Sequence, residues 1–238
     1  MSYSKIVHTL KKLGNPEKAV FLRRFFKTAK GQYAEGDQFL GITVPVQRTV
    51  AKKYSNLDRD SLNLLLANGI HEYRLTALVI LVDQFKHGDA RTKKDIFTYY
   101  LSKTKRINNW DLVDLSARDI IGEYIVQHPT EAKVLYRLVK SKNIWERRIA
   151  IISTWALIRK NQFEHTLALS TILLKDTHDL MHKAVGWMLR EVGKRDRQIL
   201  VEFLNSHAHE MPRTALRYSI EHFSQKERTH YMNMRSRA

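Results

Sequence analysis

Apolar residues recur along this chain at spacings of three and four, or their sum, and this pattern restricts what the chain can fold into. One such series is Ile144, Ile151, Trp155 and Ile158. A second is Ile107, Trp110, Ala117 and Ile121. These spacings place side chains on one face of an α-helix, whereas a half-buried strand requires strict alternation. The sequence therefore predicts an all-α protein.

Prolines and glycines divide the chain into about a dozen short helices joined by short loops. Pro16, Pro129 and Pro212 each open an amphipathic stretch, and Pro45 is expected to do the same. The first turn of a helix tolerates proline because its missing N–H would have no partner there. Short helices with short connections are typical of stacked helical pairs, so the pattern predicts a solenoid.

Four segments of the chain are loosely similar to one another. They are HEYRLTALVILVDQF from His71, IWERRIAIISTWALI from Ile144, MHKAVGWMLREV from Met181 and MPRTALRYSIEHF from Met211. Each carries a cation near its start and then becomes apolar. The corresponding cations recur at about 30 to 37 residues, counting the first interval as two periods, which is typical of helical-pair repeats. They are Arg74, Arg148, Lys183 and Arg213.

The charge of the chain indicates its class of partner. It has 41 Lys and Arg against 24 Asp and Glu, a formal net charge of +17. Such an excess attracts polyanions and releases their counterions on binding, which favours nucleic acid. The chain has no cysteine, which excludes disulfides, thiolate metal sites and cysteine nucleophiles. No apolar run approaches the roughly 18 residues that a membrane span needs, so we expect a cytoplasmic protein without a membrane partner.

The corresponding cations are candidates for contacts to phosphate. Stacked pairs place equivalent helices along one concave wall, so Arg74, Arg148, Lys183 and Arg213 would form a basic stripe there. Helix N-termini would add partial positive charge to it. Each cation alone could equally be a solvated surface charge, but their recurrence favours binding. Arg213 and Arg217 lie one helical turn apart. This spacing is equally consistent with a phosphate clamp and with two solvated charges.

Asp114 interrupts an apolar helical face, one turn after Trp110. A carboxylate in that position needs a partner or a purpose. Arg148 similarly lies between Ile144 and Ile151, whereas its neighbour Arg147 can point to solvent. A buried ion pair between Asp114 and Arg148 is as consistent with the pattern as a functional site is.

Trp187 lies at the boundary between a basic and an apolar helical face. The basic face also holds Lys183, Arg190 and Lys194. The neighbouring apolar face consists of Met181, Ala184, Met188 and Val192. An indole in this position either covers the core or offers a stacking surface to a base.

Four further segments are informative when taken together: NPEKAVFLRRFFKTAKGQYAEGDQFLGITVP from Asn15, NNWDLVDLS from Asn108, NIWERRIAI from Asn143 and HKAVGWMLREVGKRD from His182. With them, the chain resembles the DNA alkylation repair family of DNA glycosylases, the AlkD-like proteins built from HEAT-like repeats. The resemblance spans nearly the whole chain. It implies a right-handed solenoid of HEAT-like pairs with a concave basic DNA-binding face, formed by residues 1–238 as one domain, and we expect a monomer.

The same resemblance implies a site and an activity. Trp110 and Asp114 match the family's Trp-x-x-x-Asp pair, Trp187 its second site tryptophan, Arg148 an arginine beside DNA, and Trp145 a packing residue. Proteins of this type hydrolyse the N-glycosidic bond of positively charged alkylated purines in double-stranded DNA, such as 3-methyladenine and 7-methylguanine, for base excision repair. The lesion is thought to stay stacked, which suits a row of side chains better than a deep cavity.

The residue types suit this chemistry. Carboxylates stabilise the cationic sugar that forms as a glycosidic bond breaks, so Asp114 is the candidate catalytic group. Indole faces of Trp110 and Trp187 would favour a cationic nucleotide. Lys183, Arg190, Arg213, Arg217 and Arg74 are candidate DNA-binding residues. No cofactor is indicated, and His178 and His182 lack the third ligand that a metal site requires.

Two departures from the resemblance and two rival functions remain. The best-studied branch of the family has tryptophan where this chain has Asn109, and tyrosine where it has Phe25. Some branches bind DNA without excising bases, so a non-catalytic binder of distorted double-stranded DNA is the main alternative. The other is a helical-repeat scaffold for an acidic protein.

Overall fold

The computed structural model describes residues 2–234, and all the regular elements in that range are helices. Most connections are short, as predicted, but residues 26–43 form a long irregular segment between α2 and α3. The described residues contain one isolated bridge, between Gln38 and Ile70, and no strand. The all-α prediction is therefore confirmed. None of the described helices is both long enough and apolar enough to cross a membrane.

The chain forms two compact units, Met1–Ser116 and Ala117–Ala238. Met1 and residues 235–238 lie outside the described residues. Unit 1 contains α1 (Tyr3–Lys12), α2 (Pro16–Phe25), α3 (Val44–Lys53), α4 (Arg59–Ala67), α5 (His71–His87), α6 (Ala90–Ser102), a 3₁₀ turn (Thr104–Arg106) and all but the last residue of α7 (Trp110–Ala117). The longest helix of unit 1, α5, packs against α3, α4 and α6. A single domain, the handedness of the solenoid and its basic concave face stay predictions.

Unit 2 is also built around long helices. After a π-helical turn (Arg118–Gly122) it contains α8 (Glu123–Gln127), a 3₁₀ turn (Pro129–Ala132), α9 (Lys133–Leu138), α10 (Ile144–Ile158), α11 (Glu164–Leu173), α12 (Asp179–Arg195), α13 (Arg197–His207), α14 (Arg213–Ser219) and α15 (Gln225–Met232). Helix α10 packs against α9, α11 and α12, and α12 packs against α11, α13 and α14. Such successive packing is what helical repeats produce.

The prolines mark helix starts as predicted. Pro16 is the first residue of α2, and the side chain of Asn15 caps that helix by accepting the Lys18 N–H at 2.9 Å. Pro45 is the second residue of α3. Pro212 directly precedes α14, whereas Pro129 begins a 3₁₀ turn instead of an α-helix.

Helix α12 shows most clearly how the predicted pattern packs. Its four predicted core residues are fully buried: Met181, Ala184, Met188 and Val192. Gly186 allows α12 to approach α14 closely, because a Cβ there would lie 2.4 Å from the Ala215 carbonyl oxygen. Trp187 is half-buried beside this apolar face, at the boundary where the sequence placed it.

The region around α7 departs from the predicted regular helix. Ile107 precedes the helix, which starts at Trp110, and the spacing changes again at the π-helical turn after Ala117. Within unit 2, Gly122 of that turn packs against α10, since a Cβ there would lie 2.3 Å from the Ser153 carbonyl oxygen. Close backbone contact is the reason for glycine at this position.

Candidate functional site

Trp110 and Asp114 lie one turn apart on α7, and both are partly exposed. Asp114 is therefore accessible to a ligand, although it interrupts an apolar face. Burial, together with the nearby charge of Asp114, raises the pKa of Tyr100. The Tyr100 hydroxyl is hydrogen-bonded to Ser116 at 2.9 Å, which anchors this part of α7 in unit 1.

A cluster of aromatic rings surrounds Trp110. Phe26 stacks between Trp110 and Phe39, with ring centroids 5.3 Å and 5.1 Å away. Phe25 meets the Trp110 ring edge-on at 6.0 Å and stacks against Phe21 at 6.1 Å. Phe21 and Phe25 are 66% and 52% exposed. Helix α2 therefore presents two rings to solvent next to the indole of Trp110, which packs against Phe25 and Phe26.

These rings line a cavity of about 520 Å³ in unit 1. Its other apolar lining comes from Leu22, Ile42, Val44 and Leu75. Its polar lining comes from Lys18, Thr43, Gln47, His71, Glu72 and Asp111. The family resemblance led us to expect a row of side chains instead of a deep cavity, so this cavity was not predicted. The segment FLRRFF from Phe21 could have indicated it, because it exposes aromatic rings that a helix of a soluble protein would normally bury.

A buried ionic network lies behind the aromatic cluster. His71 is 2% exposed, and its Nδ1 and Nε2 lie 3.2 Å from Asp37 Oδ2 and 2.8 Å from Asp111 Oδ2. Burial by itself would lower the pKa of His71, but the charge and hydrogen bond of Asp111 and the hydrogen bond of Asp37 raise it to about 9. His71 is thus an imidazolium at neutral pH.

Arg74 belongs to this network, and its position does not fit the predicted contact to phosphate. It is 4% exposed, its Nη2 lies 2.7 Å from Asp37 Oδ1, and its Nη1 donates to the Asn68 carbonyl at 3.0 Å. Burial raises the pKa of Asp37, but His71 and Arg74 outweigh that effect and hold it below its usual value. Arg74 therefore stabilises the interior of unit 1.

Asn109 also contributes to the network. It is fully buried, and its Nδ2 donates to Asp37 Oδ2 at 3.4 Å. Its Oδ1 accepts the backbone N–H of Trp110, the first residue of α7, at 2.8 Å. The asparagine that departs from the family pattern is thus a buried hydrogen-bonding residue that connects Asp37 to the start of α7.

Glu72 fixes the loop that lines one side of the cavity. Its carboxylate accepts the backbone N–H groups of Leu40, Gly41 and Ile42 at 2.8–3.2 Å. Gly41 has φ +84°, and a Cβ there would lie 2.0 Å from the Asn15 carbonyl oxygen. The loop can therefore take this course only with glycine at this position.

In unit 2, both arginines at the start of α10 have partners. Arg148 is 5% exposed and its Nη1 donates to the Leu180 carbonyl at 2.6 Å. Arg147 does not point freely to solvent as predicted, because its Nε binds Asp176 at 2.7 Å. Its Nη1 donates to the carbonyls of Ser141 and Lys142. Trp145 is buried, consistent with its predicted packing role.

Three predicted DNA-binding cations share one open groove of about 640 Å³ in unit 2, lined by Asp179, Lys183, Arg190, Thr214, Arg217, Tyr218 and Glu221. Lys183 pairs with Asp179 at 2.8 Å, and Arg190 pairs with Glu221. Arg217 is exposed, and within residues 2–234 it has no ion pair. Arg213 lies outside this groove and donates to the Met232 carbonyl.

The structure thus groups the predicted residues into two sets. Trp110 and Asp114 belong to unit 1, with Arg74 in its interior, whereas Trp187, Arg148, Lys183, Arg190, Arg213 and Arg217 belong to unit 2. No group of three or more His, Asp or Glu among the described residues is arranged to hold a metal ion.

Comparisons with known proteins place this geometry in context. A family model described as DNA alkylation repair enzyme matches residues 6–223. A solved structure, described as a predicted DNA alkylation repair enzyme from Enterococcus faecalis, superposes with a TM-score of 0.70 and 19% identity. The match covers 89% of this chain and 97% of that one, and it supports the helical fold. No curated protein matches.

Proposed function

The chain belongs to the DNA alkylation repair enzyme family, and from that membership we propose that it is a monofunctional DNA glycosylase. Its substrates are positively charged alkylated purines in double-stranded DNA, of the 3-methyladenine and 7-methylguanine type. It hydrolyses their N-glycosidic bond for base excision repair, as a cytoplasmic monomer without a cofactor. The observation that carries this proposal is the accessible Trp110–Asp114 pair beside a supported aromatic cluster.

Asp114 acts on the sugar. An alkylated purine already carries positive charge, so it leaves with the bonding electrons as a neutral base and needs no strong general acid. Cationic character then develops on the deoxyribose, where a nearby carboxylate stabilises it. Asp114 also positions the water that adds to C1′, and the proton of that water passes to solvent.

The indoles provide selectivity for charge. Each cation–π contact contributes about 0.5–2 kcal/mol, so an indole face favours a cationic nucleotide over a neutral one. Trp110 is suited to this role because Phe26 and Phe25 hold its ring in place. Trp187 has the role of second indole by family resemblance. Arg148, which the resemblance places beside the DNA, is 5% exposed and bound to the Leu180 carbonyl, so like Arg74 it is not one of the proposed phosphate contacts.

The groove in unit 2 supplies contacts to the DNA backbone. Lys183, Arg190 and Arg217 line it, and Arg213 lies at the start of the same helix as Arg217. Contacts to phosphate give affinity and register without reading sequence. Arg74 is not part of this proposal, because its guanidinium is buried against Asp37.

A non-catalytic binder of distorted double-stranded DNA is the second candidate. The exposed Phe21 and Phe25 favour it, since apolar side chains on a basic surface can insert at a distorted base step. The same helix carries Lys18, Arg23 and Arg24, all exposed.

The deciding experiment measures bases released from methylated duplex DNA. The wild type should release 3-methyladenine or 7-methylguanine, and Asp114→Asn should lower the rate by about 10²–10³ while leaving duplex affinity nearly unchanged. Asp119→Asn is the matched control, because it removes a partly exposed carboxylate elsewhere on the chain. Equal rates for wild type and Asp114→Asn would remove Asp114 from the mechanism. Tight, salt-sensitive binding without any release would support the second candidate.

A further inference from the structure

His71 is a buried ionisable residue that the proposed chemistry does not use. Both of its ring nitrogens face carboxylates, Asp37 at 3.2 Å and Asp111 at 2.8 Å. A histidine donates from both nitrogens only as an imidazolium, because neutral imidazole has a single N–H. The position therefore requires a cation that makes two directed hydrogen bonds.

These hydrogen bonds connect three separate elements of unit 1. His71 is the first residue of α5, Asp111 lies in the first turn of α7, and Asp37 lies in the segment that precedes α3. Asp37 also forms an ion pair with Arg74 and accepts a hydrogen bond from Asn109. Two carboxylates thus face two cations, which keeps this buried network electrically balanced.

The other charged side chains near His71 are Glu72, which is hydrogen-bonded to backbone amides, and Lys18, which is exposed to solvent. Glu72, its neighbour on α5, is turned to the backbone amides of the loop at Leu40–Ile42. Lys18 lines the same cavity from α2 and is exposed. Besides burial, which lowers the pKa of His71, its protonation is therefore governed by Asp111, Asp37 and Arg74.

The ring of His71 also supports the aromatic cluster. It stacks on Phe39 at 4.7 Å and lies against Phe26 at 4.9 Å. Phe26 in turn stacks on Trp110. His71 therefore reaches the first turn of α7 by two routes, through Asp111 and through Phe26.

We propose that His71 is a positioning residue for base release, which fixes the first turn of α7 and thereby orients Trp110 and Asp114. Its effect on catalysis rests on the proposed glycosylase function. Loss of the ring proton would remove the hydrogen bond from His71 to one of the two carboxylates, and loss of the bond to Asp111 would loosen the first turn of α7. Because the pKa of His71 is raised to about 9, this link holds at neutral pH and weakens in alkaline solution.

The first test measures single-turnover base release from pH 6.5 to 10 for the full-length wild type and His71→Gln. The wild-type rate should fall as pH rises through about 9. His71→Gln should be about 10-fold slower at neutral pH, because misplaced catalytic groups lose rate steeply, and should lack the alkaline step. Duplex affinity should change less than twofold. The matched control is His8→Gln, which alters an exposed histidine on α1.

The second test does not need enzyme activity. With fluorotryptophan incorporated, the ¹⁹F resonance of Trp110, assigned with Trp110→Phe, should shift in wild type with a midpoint near pH 9. In Asp111→Asn the midpoint should move to lower pH, because one of the two carboxylates that stabilise the cation is gone. The wild-type titration needs no variant at the network, so it remains decisive if His71→Gln does not fold.

The outcomes distinguish the two proposals. A protein that releases no base, but whose Trp110 resonance follows His71, contradicts the glycosylase function and leaves the structural coupling standing. A protein that releases bases with the same pH profile in wild type and His71→Gln contradicts the positioning role. A Trp110 resonance that does not respond to pH overturns the coupling itself.

Discussion

Four cations occupy corresponding positions in the similar segments of the sequence, but two of them are buried in the structure and two lie at the surface. Arg74 in unit 1 is buried against Asp37, and Arg148 at the start of α10 is buried against the Leu180 carbonyl. Lys183 and Arg213 in unit 2 lie at the surface. Equivalent places in a repeated pattern therefore do not imply equivalent roles, because burial decides whether a cation can reach a phosphate.

The difference follows from what each helix start packs against. Desolvating a guanidinium costs several kcal/mol unless an anion and hydrogen-bond acceptors replace its water. Arg74 has Asp37 and the Asn68 carbonyl as replacements. Arg217 has no ion pair among the described residues, and solvent hydrates it. Buried cations of this kind affect folding, and exposed ones can affect binding.

The largest expected effect comes from removing the buried cation. Arg74→Met should lower the free energy of unfolding by about 3–5 kcal/mol, because it leaves Asp37 with a weakened set of partners in the interior. Arg217→Met is the matched control and should stay within about 0.5 kcal/mol of wild type. Urea unfolding of both variants measures this. Similar stabilities for the two variants would contradict the contrast between buried and exposed cations.

A second prediction tests the ionic network through pH. The pKa of His71 is raised to about 9 in the folded protein, compared with about 6.5 in the unfolded chain. Its contribution to the free energy of unfolding is therefore complete below pH 6.5 and is lost as pH rises to about 9. The free energy of unfolding should fall by about 3 kcal/mol across that range.

The pKa of Asp37 is instead lowered, so its contribution is present above the unfolded value near 3.9 and is lost as pH falls through the folded value. Urea unfolding at several pH values measures both the alkaline and the acidic loss of stability. In His71→Gln the alkaline fall should disappear. An unchanged alkaline fall in that variant would assign it to another group.

The smallest expected effect is on DNA binding and comes from replacing the exposed Arg217. Arg217→Ala should weaken binding to any duplex and lower the slope of log affinity against log salt by about one unit, as expected for one lost phosphate contact. Lys140→Ala removes an exposed charge outside the groove and serves as control. Fluorescence anisotropy across a salt series measures the slope. A change in base preference without a change in slope would argue against a phosphate contact.

Helical elements were predictable because their signals are local. The apolar face of α12, the helix starts at Pro16 and Pro45 and the boundary position of Trp187 all follow from residues within one helix. The ionic network was not predictable in this way. Asp37 and Asp111 are 34 and 40 residues from His71 in the chain, so no local pattern connects them.

The aromatic cavity shows the same limit. The sequence reveals an aromatic segment in α2, but Phe39 and Trp110 come from other parts of the chain, and only packing brings them together. Position in the repeat pattern also misled the interpretation of Arg74, because its surroundings depend on Asp37 in a distant loop.

By itself, the sequence determined the helical class, the excess positive charge and the family to which this chain belongs, since these depend on composition and on spacing within short segments. The tertiary structure decided which cations are buried, which rings form the cavity and that His71 joins two carboxylates. The physical reason is that desolvation and hydrogen bonding depend on neighbours in space, and the fold sets those neighbours.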